Sequence, residues 1–294
     1  MRFEYFEPSS IEEAREVLRR GNGQYKILAG GTDIINQLRR RAVTCEGLVN
    51  IKRLPGIGSW SAEPGKGLHI GATTLMRELE TSRVVAERFP SLVDSLKVIG
   101  SIQLRNIATI GGNLCNASPA ADTAPSFIVL GASATFLDGG SIPQTVPIEE
   151  FFAGPGRSIL ATEGLLLRVD VPEPERFTGD GFERLTPRSA MDIAIASAAS
   201  RVTLDTSSGR VVDAAIALGA VAPRPLRARK AEDVLRGKEP TPELLAKAGA
   251  TAKEECNPID DLRGTAAYRR AMIAVLVRRT LEKSIERANR RAGT

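Results

Sequence analysis

The sequence predicts an α+β protein of two domains, residues 1–174 and 175–294, the first divided into subdomains of about 1–54 and 55–174. Three features predict it. Short strand-like runs are interspersed with short helical stripes, with no internal repeat at a fixed period and no low-complexity segment. Proline and glycine punctuate the chain at Leu54-Pro55-Gly56-Ile57-Gly58 and at Pro172-Glu173-Pro174. Beyond the second of these the pattern changes to two long apolar runs and a long terminal helix, and 294 residues are enough to give each unit a core.

Ser10-Ile11-Glu12-Glu13 has the capping-box pattern, and Ile11, Ala14, Val17 and Leu18 continue as a helical stripe up to Gly21 and Gly23. Lys26-Ile27-Leu28-Ala29 then reads as a strand entering the glycine turn Gly30-Gly31-Thr32-Asp33. A helix over 34–41 and a strand at Leu48-Val49-Asn50-Ile51 complete a small α/β unit. In the second unit Leu68-His69-Ile70-Gly71-Ala72 alternates like a strand, helices are expected over 75–80 and 90–99, and strands over 133–137 and 165–171 close it. In the last unit, runs over 193–204 and 211–221 are joined by Asp205-Thr206-Ser207-Ser208-Gly209, a hairpin pattern. Thr241-Pro242-Glu243 starts a helix with proline in its first turn, and residues 265–291 form the long terminal one.

Composition narrows the chemistry. No run of eighteen apolar residues exists, so no membrane-spanning helix is expected, and the acidic N-terminal MRFEYFEPSSIEEA lacks a signal pattern, which points to a cytoplasmic protein. Cys45, Cys115 and Cys256 show no C-x-x-C spacing, so neither a zinc site nor an iron–sulfur cluster is written in this chain. His69 is the only histidine; it reads as a strand residue, and a nucleophile relay built on it would lack the elbow pattern. No catalytic and no metal-ligating residue is assigned, and the chemistry is expected to come from a cofactor. From Arg263 onward there are nine Lys or Arg against two Glu. Ala266, Ile273, Leu276, Val277, Leu281 and Ile285 recur at helical spacing with the arginines largely between them, so this reads as a solvated or partner-docking face rather than a nucleic-acid one.

The stretch TIGGNLCNASPAAD at 109–122 is built for shape: paired glycines reach φ > 0 and let another molecule approach the main chain. With LAGGTD at 28–33 it makes a second glycine turn whose successive amides form an anion-binding concavity. Neither turn is a P-loop, and the G-x-G pairs at Gly21, Gly56, Gly65, Gly154 and Gly179 lack the third glycine of the dinucleotide fingerprint. Two cradles without lysine suit a pyrophosphate held between two subdomains.

KILAGGTD at 26–33, RNIATIGGNLCNASPAAD at 105–122 and RSAMDIAIAS at 188–197 resemble the three signatures of the FAD-binding medium subunit of molybdenum hydroxylases, the family of xanthine and carbon monoxide dehydrogenases. FFAGPGR at 151–157 and ALGAVAPRPLR at 217–227 lean toward bacterial xanthine-dehydrogenase-type members. The resemblance covers nearly the whole chain in order. It implies an FAD domain of two subdomains of the vanillyl-alcohol-oxidase (PCMH) type followed by a small α+β C-terminal domain. It also implies a partner small [2Fe-2S] subunit and a large molybdopterin subunit in a dimer of heterotrimers. The task implied is electron transfer through FAD to NAD or another acceptor, with no nucleic acid involved. By match, the backbone of Leu28, Ala29, Gly30, Gly31, Thr32 and Asp33 and that of Thr109, Ile110, Gly111, Gly112 and Asn113 would hold the pyrophosphate and ribityl chain, with Ser118 and Asp122 on the polar chain. Leu166 matches a leucine on the flavin side, and Arg184 falls where relatives often carry a lysine near the ring.

Several of these residues keep an alternative. Asp33 would repel a phosphate and is expected to accept backbone N–H bonds that hold its turn. Asp122 either contacts a ribityl hydroxyl or caps a helix. Cys115 and Ile99 either pack near the flavin or belong to the core. Two other classes compete with the subunit reading: a stand-alone flavin oxidase, and a non-enzymatic nucleotide-binding module.

Overall fold

The computed structural model describes residues 3–188 and 191–292, so Ser189 and Ala190 of the third signature lie outside the described residues. The chain begins with β1 (Glu4–Phe6), α1 (Ile11–Arg20), β2 (Tyr25–Leu28), α2 (Ile34–Arg39) and β3 (Gly47–Asn50), and the strands pair in parallel in the order β1-β3-β2. Ser10 caps α1 by accepting from Glu13 N, while Glu13 reaches back to the amide and hydroxyl of Ser9 at 2.7 Å, one residue earlier than the usual box. Ala14, Val17 and Leu18 bury the apolar stripe against Val49, Ile51 and Leu54. Strand β1 was not expected, since three residues are too short for a period-2 signal.

A second sheet follows, made of β4 (Trp60–Ser61), β5 (Leu68–Gly71), β6 (Ser133–Leu137), β7 (Gln144–Pro147) and β10 (Leu165–Val171) in the antiparallel order β4-β5-β10-β6-β7. Between β5 and β6 run six short helices: α3 (Met76–Thr81), α4 (Arg83–Arg88), α5 (Pro90–Lys97), α6 (Ile102–Arg105), α7 (Ile110–Cys115) and α8 (Thr123–Val129). Between β7 and β10 lies a small hairpin, β8 (Phe152–Gly154) with β9 (Arg157–Ser158). Phe89, Phe127, Phe151 and Phe152 are fully buried at the centre of this unit's core.

The last unit is an antiparallel meander of β11 (Thr178–Leu185), β12 (Ala196–Leu204), β13 (Val211–Gly219) and β14 (Leu226–Arg227), followed by α9 (Arg229–Leu235), α10 (Pro242–Glu254) and α11 (Ala266–Ala292). Its sheet is buried on both faces. Ala198, Val202 and Ile216 join the core under α10 and α11, whereas Phe182, Ala199 and Ala217 join the core that holds α5 and α8. Asp180 of β11, wholly buried, accepts from Ser91 N at 2.6 Å and so caps α5, which has no cap of its own.

The basic terminal helix differs from the expected solvated or partner-docking face. Arg287 bonds the Asp94 carboxylate and the Asp180 carbonyl, Arg291 the carbonyls of Thr178, Glu87 and Arg88, and Arg269 those of Ile195 and Ala220. These guanidiniums turn inward onto main-chain carbonyls of β11, of the residues flanking β12 and β13, and of the end of α4. Arg278 and Arg290 stay exposed in pairs with Glu282 and Glu286.

Helix α11 reaches the sheet through Gly179, where an added Cβ would lie 2.1 Å from Ser284 O and 2.4 Å from Ala288 N. Because both neighbours are helix backbone, Gly179→Ala is expected to destabilise the protein by about 1–3 kcal/mol, with a lower thermal unfolding midpoint. Gly154→Ala, in open space, is expected to leave the midpoint within the scatter of wild type.

Candidate functional site

A cleft of about 650 Å³ runs between the β2–α2 loop and α7, bounded further along by the 98–100 segment, the start of α8, residues 158–164, and Arg184, Asp192 and Ile193 of the last unit. Its size is that of a small-molecule or cofactor site. It gathers Ala29, Gly30, Gly31, Thr32, Asp33, Ile99, Thr109, Gly111, Gly112, Asn113, Cys115, Ser118, Asp122, Leu166 and Arg184. Leu28 and Ile110 are the exceptions: as the last residue of a strand and the first of a helix, they turn their side chains into the protein interior.

The two glycine pairs do different work. In the first, Gly31 has φ +79°, and the amides of Gly30, Gly31, Thr32, Asp33 and Ile34 have no acceptor among the described residues. They form the concavity that an anion fills. Position 30 also rests on the neighbouring backbone, since a Cβ there would lie 2.3 Å from Ile107 O.

The second pair is not a turn, which corrects the sequence expectation. Thr109 caps α7 by accepting from Gly112 N at 3.1 Å, Gly111 N donates to Ala72 O and Ile110 N to Thr74 O, and neither glycine has positive φ. Its amides are already used. Gly111 is needed because α7 lies on Ala72, whose carbonyl would be 2.5 Å from a Cβ, and at Gly112 a Cβ would point at Thr109 Oγ1 and toward Ala29 across the cleft. A Gly-Gly pair reads locally as a turn; the threonine cap and the bridge between Leu75 and Thr109 override it.

Asp33 also departs from expectation. Its carboxylate accepts no hydrogen bond among the described residues, and burial pushes its pKa up. Of the two roles open to Asp122, helix capping is absent: it precedes α8 with no side-chain cap bond. Instead Oδ2 accepts from Arg184 Nη1 at 2.6 Å, and Oδ1, shielded from solvent, has no partner among the described residues. Burial pushes the Asp122 carboxyl up to about 6, against the opposing pull of the Arg184 guanidinium. Arg184 donates a second bond, 2.5 Å to the Val98 carbonyl, so its charge is engaged.

Ile99 lines the cleft and packs on the core as well, and its carbonyl is held by Arg105, itself forked onto Glu80 at 2.7 and 2.9 Å. Burial pushes the Cys115 thiol up to about 12, which keeps it protonated. Ser118 Oγ accepts from Ala120 N. His69 lies on its strand, with Nδ1 2.6 Å from Asp170. Sequence reasoning missed Gln37, Asn116, Ser158, Leu160 and Thr162, which also line the cleft. Gln37 sits one helical turn past the glycine loop and was findable there. Ser158 and Leu160 arrive through the β8–β9 hairpin, docked by Gly156 N on Ala117 O, which leaves no local signal.

On the FAD reading that the sequence resemblance implies, Gly112→Val is expected to empty the cleft while circular dichroism stays that of the wild type, because the side chain enters the gap facing Ala29 and displaces the Thr109 cap, not because of backbone strain. Full flavin occupancy in this variant would show that the gap is not used.

Residues 1–174 match the family of FAD binding domains in molybdopterin dehydrogenase, and residues 183–284 match the CO dehydrogenase flavoprotein C-terminal domain. The carbon monoxide dehydrogenase medium chain of Hydrogenophaga pseudoflava is 34% identical over 280 residues, covering 95% of this chain and 96% of that one. The xanthine dehydrogenase FAD-binding subunit of Escherichia coli O157:H7 is 27% identical, covering 97% and 96%. The solved carbon monoxide dehydrogenase from Hydrogenophaga pseudoflava superposes with a TM-score of 0.92 at 34% identity, over 98% of both chains. With both matched segments in order along nearly all its length, the chain belongs to the FAD-binding medium subunits of the molybdenum hydroxylases.

Proposed function

We propose that the cleft is the FAD site and that this chain is the electron outlet of its complex, receiving electrons from [2Fe-2S] clusters of a small partner subunit and delivering them to NAD or another acceptor. The observation that carries the reading is the pairing of five acceptor-less amides at Gly30 to Ile34 with a buried, unpartnered oxygen on Asp122 along one cleft. The first feature suits a pyrophosphate and the second a ligand hydroxyl. Ile99, Leu166 and the neutral Cys115 offer an apolar surface for the ring system.

When bound, FAD supplies the capacity to take electrons singly and release them in pairs. The residues of this chain bind and orient it. The amides of the β2–α2 loop hold negative charge, with Lys26 on the strand before it also lining the cleft, and the Asp122 carboxylate accepts a proton-bearing group while Arg184 balances its charge. Among the described residues no group of three or more His, Cys, Asp or Glu side chains is arranged to hold a metal, and no helix is long and apolar enough to cross a membrane. The organic substrate is then oxidised on the large molybdopterin subunit. The same reading takes residues 1–174 as the flavin domain and 175–294 as a second domain, in a cytoplasmic dimer of heterotrimers.

The complex is expected to release intact FAD, and not FMN, on mild denaturation. The isolated chain is expected to oxidise no purine, aldehyde or aromatic acid. A complex assembled without it should still show substrate-driven bleaching of the molybdenum and iron–sulfur chromophores yet reduce no acceptor. Normal acceptor reduction by that incomplete complex, or substrate turnover by the chain alone, would remove it from the electron path.

A further inference from the structure

We propose that Arg184 is a positioning residue for the cofactor site: from the last sheet it grips the Asp122 carboxylate and the Val98 carbonyl together, so that the cleft takes its binding shape only when that sheet is docked. Arg184 sits inside β11, paired with Ser197 of β12, so its backbone is fixed by the sheet and not by the cleft walls. Its side chain is 5% exposed and that of Asp122 8%, and each of the two bonds crosses from the last unit to a different segment of the wall.

Those segments need an external hold. Val98, Ile99 and Gly100 connect α5 to α6, with Gly100 at φ +51°, and the cleft is lined by the latter two. Arg105 secures the Ile99 carbonyl from within the same unit, and Arg184 secures the carbonyl one residue earlier from outside it. At Asp122 the bond to Oδ2 fixes the carboxylate plane and leaves Oδ1 as the buried acceptor without a partner. Burial alone disfavours the charged carboxylate, and Arg184 is the group that opposes this. The planar fork of a guanidinium holds two acceptors in one fixed geometry; a lysine at this position retains the charge and its donors but not that geometry.

The inference rests on the assignment of the cleft to FAD, and the test separates the two. The full-length chain, assembled with its partner subunits and stripped of flavin, is titrated with FAD by flavin fluorescence as wild type, Arg184→Met, Arg184→Lys, Asp122→Asn and the Arg184→Met/Asp122→Asn double variant. Arg184→Met is expected to weaken FAD binding about tenfold or more, Arg184→Lys to fall between it and wild type, and Arg184→Met to cost markedly less when Asp122 is already Asn. Thermal unfolding monitors the fold; if Arg184→Met does not fold, Arg184→Lys decides, and wild-type affinity in it overturns the proposal. Equal affinity of Arg184→Met and wild type overturns it, as do strictly additive losses in the double variant. Failure of the wild-type complex to take up FAD overturns the cleft assignment and the positioning role together.

Discussion

The loop after β2 lies directly on the backbone of residues 107 and 108, and that contact exists only because position 30 has no Cβ. Everything at the centre of the molecule follows from it. Elsewhere the first unit meets the second sheet through side chains, with Leu165 and Leu167 of β10 packed on Val49, Ile51 and Leu54, and beside the close main-chain approach at position 30 the cleft is left open. Gly111 repeats the device against Ala72. At positions 30 and 111 glycine sets distances between segments, whereas Gly31, at φ +79°, and Gly100, at φ +51°, are needed for their backbone conformation. Of the two glycine-bearing segments, the β2–α2 loop is the one whose amides have no acceptor among the described residues, because α7 spends its own on Thr109, Ala72 and Thr74.

The last unit closes the third side by the same logic of close approach. Ala220 N donates to Pro119 O at 2.8 Å, Arg224 reaches the Phe152 carbonyl at 3.2 Å, and Gly219 leaves room for Pro125. The segment 217–227 and the hairpin at 151–158, which in sequence looked like family markers, are the two halves of this joint. Neither is explained by contact with a ligand alone. A motif preserved by packing between units and one preserved by a cofactor look alike in a single sequence.

That ambiguity defines what was legible. The elements with a strong period or a clear boundary were readable: α1 with its serine cap, the strands over 133–137 and 165–171, the hairpin of β12 and β13, and the helix begun by Thr241-Pro242. Most of the residues named from the glycine loops and their surroundings do line the cleft, but they make up less than half of its wall. The helices α4 and α6 were not, each being shorter than two full helical turns and held by contacts rather than propensity. The pairing of Asp122 with Arg184 joins residues far apart in sequence, and the role of Asp33 depends on which amides the fold happens to satisfy. Neither leaves a local pattern.

The arginines show why composition misleads here. A basic stretch at the end of a chain reads as surface charge, yet Arg269 spends donors on carbonyl oxygens within the last unit, Arg287 and Arg291 on carbonyls of β11 and on groups across the joint, and Arg105, Arg184 and Arg224 on carbonyls of the central unit. Where strands and helices of different units meet out of register, carbonyls are left without amides, and an unsatisfied buried carbonyl is costly. A guanidinium serves several acceptors from one side chain, keeps its charge when partly buried, and carries an apolar stem that packs on the way in. A lysine gathers its donors at one atom and lacks the planar fork. The positive charge of this chain is therefore partly a record of main-chain carbonyls that its arginines serve, and at Arg184 one such bond also joins the last unit to the wall of the cleft.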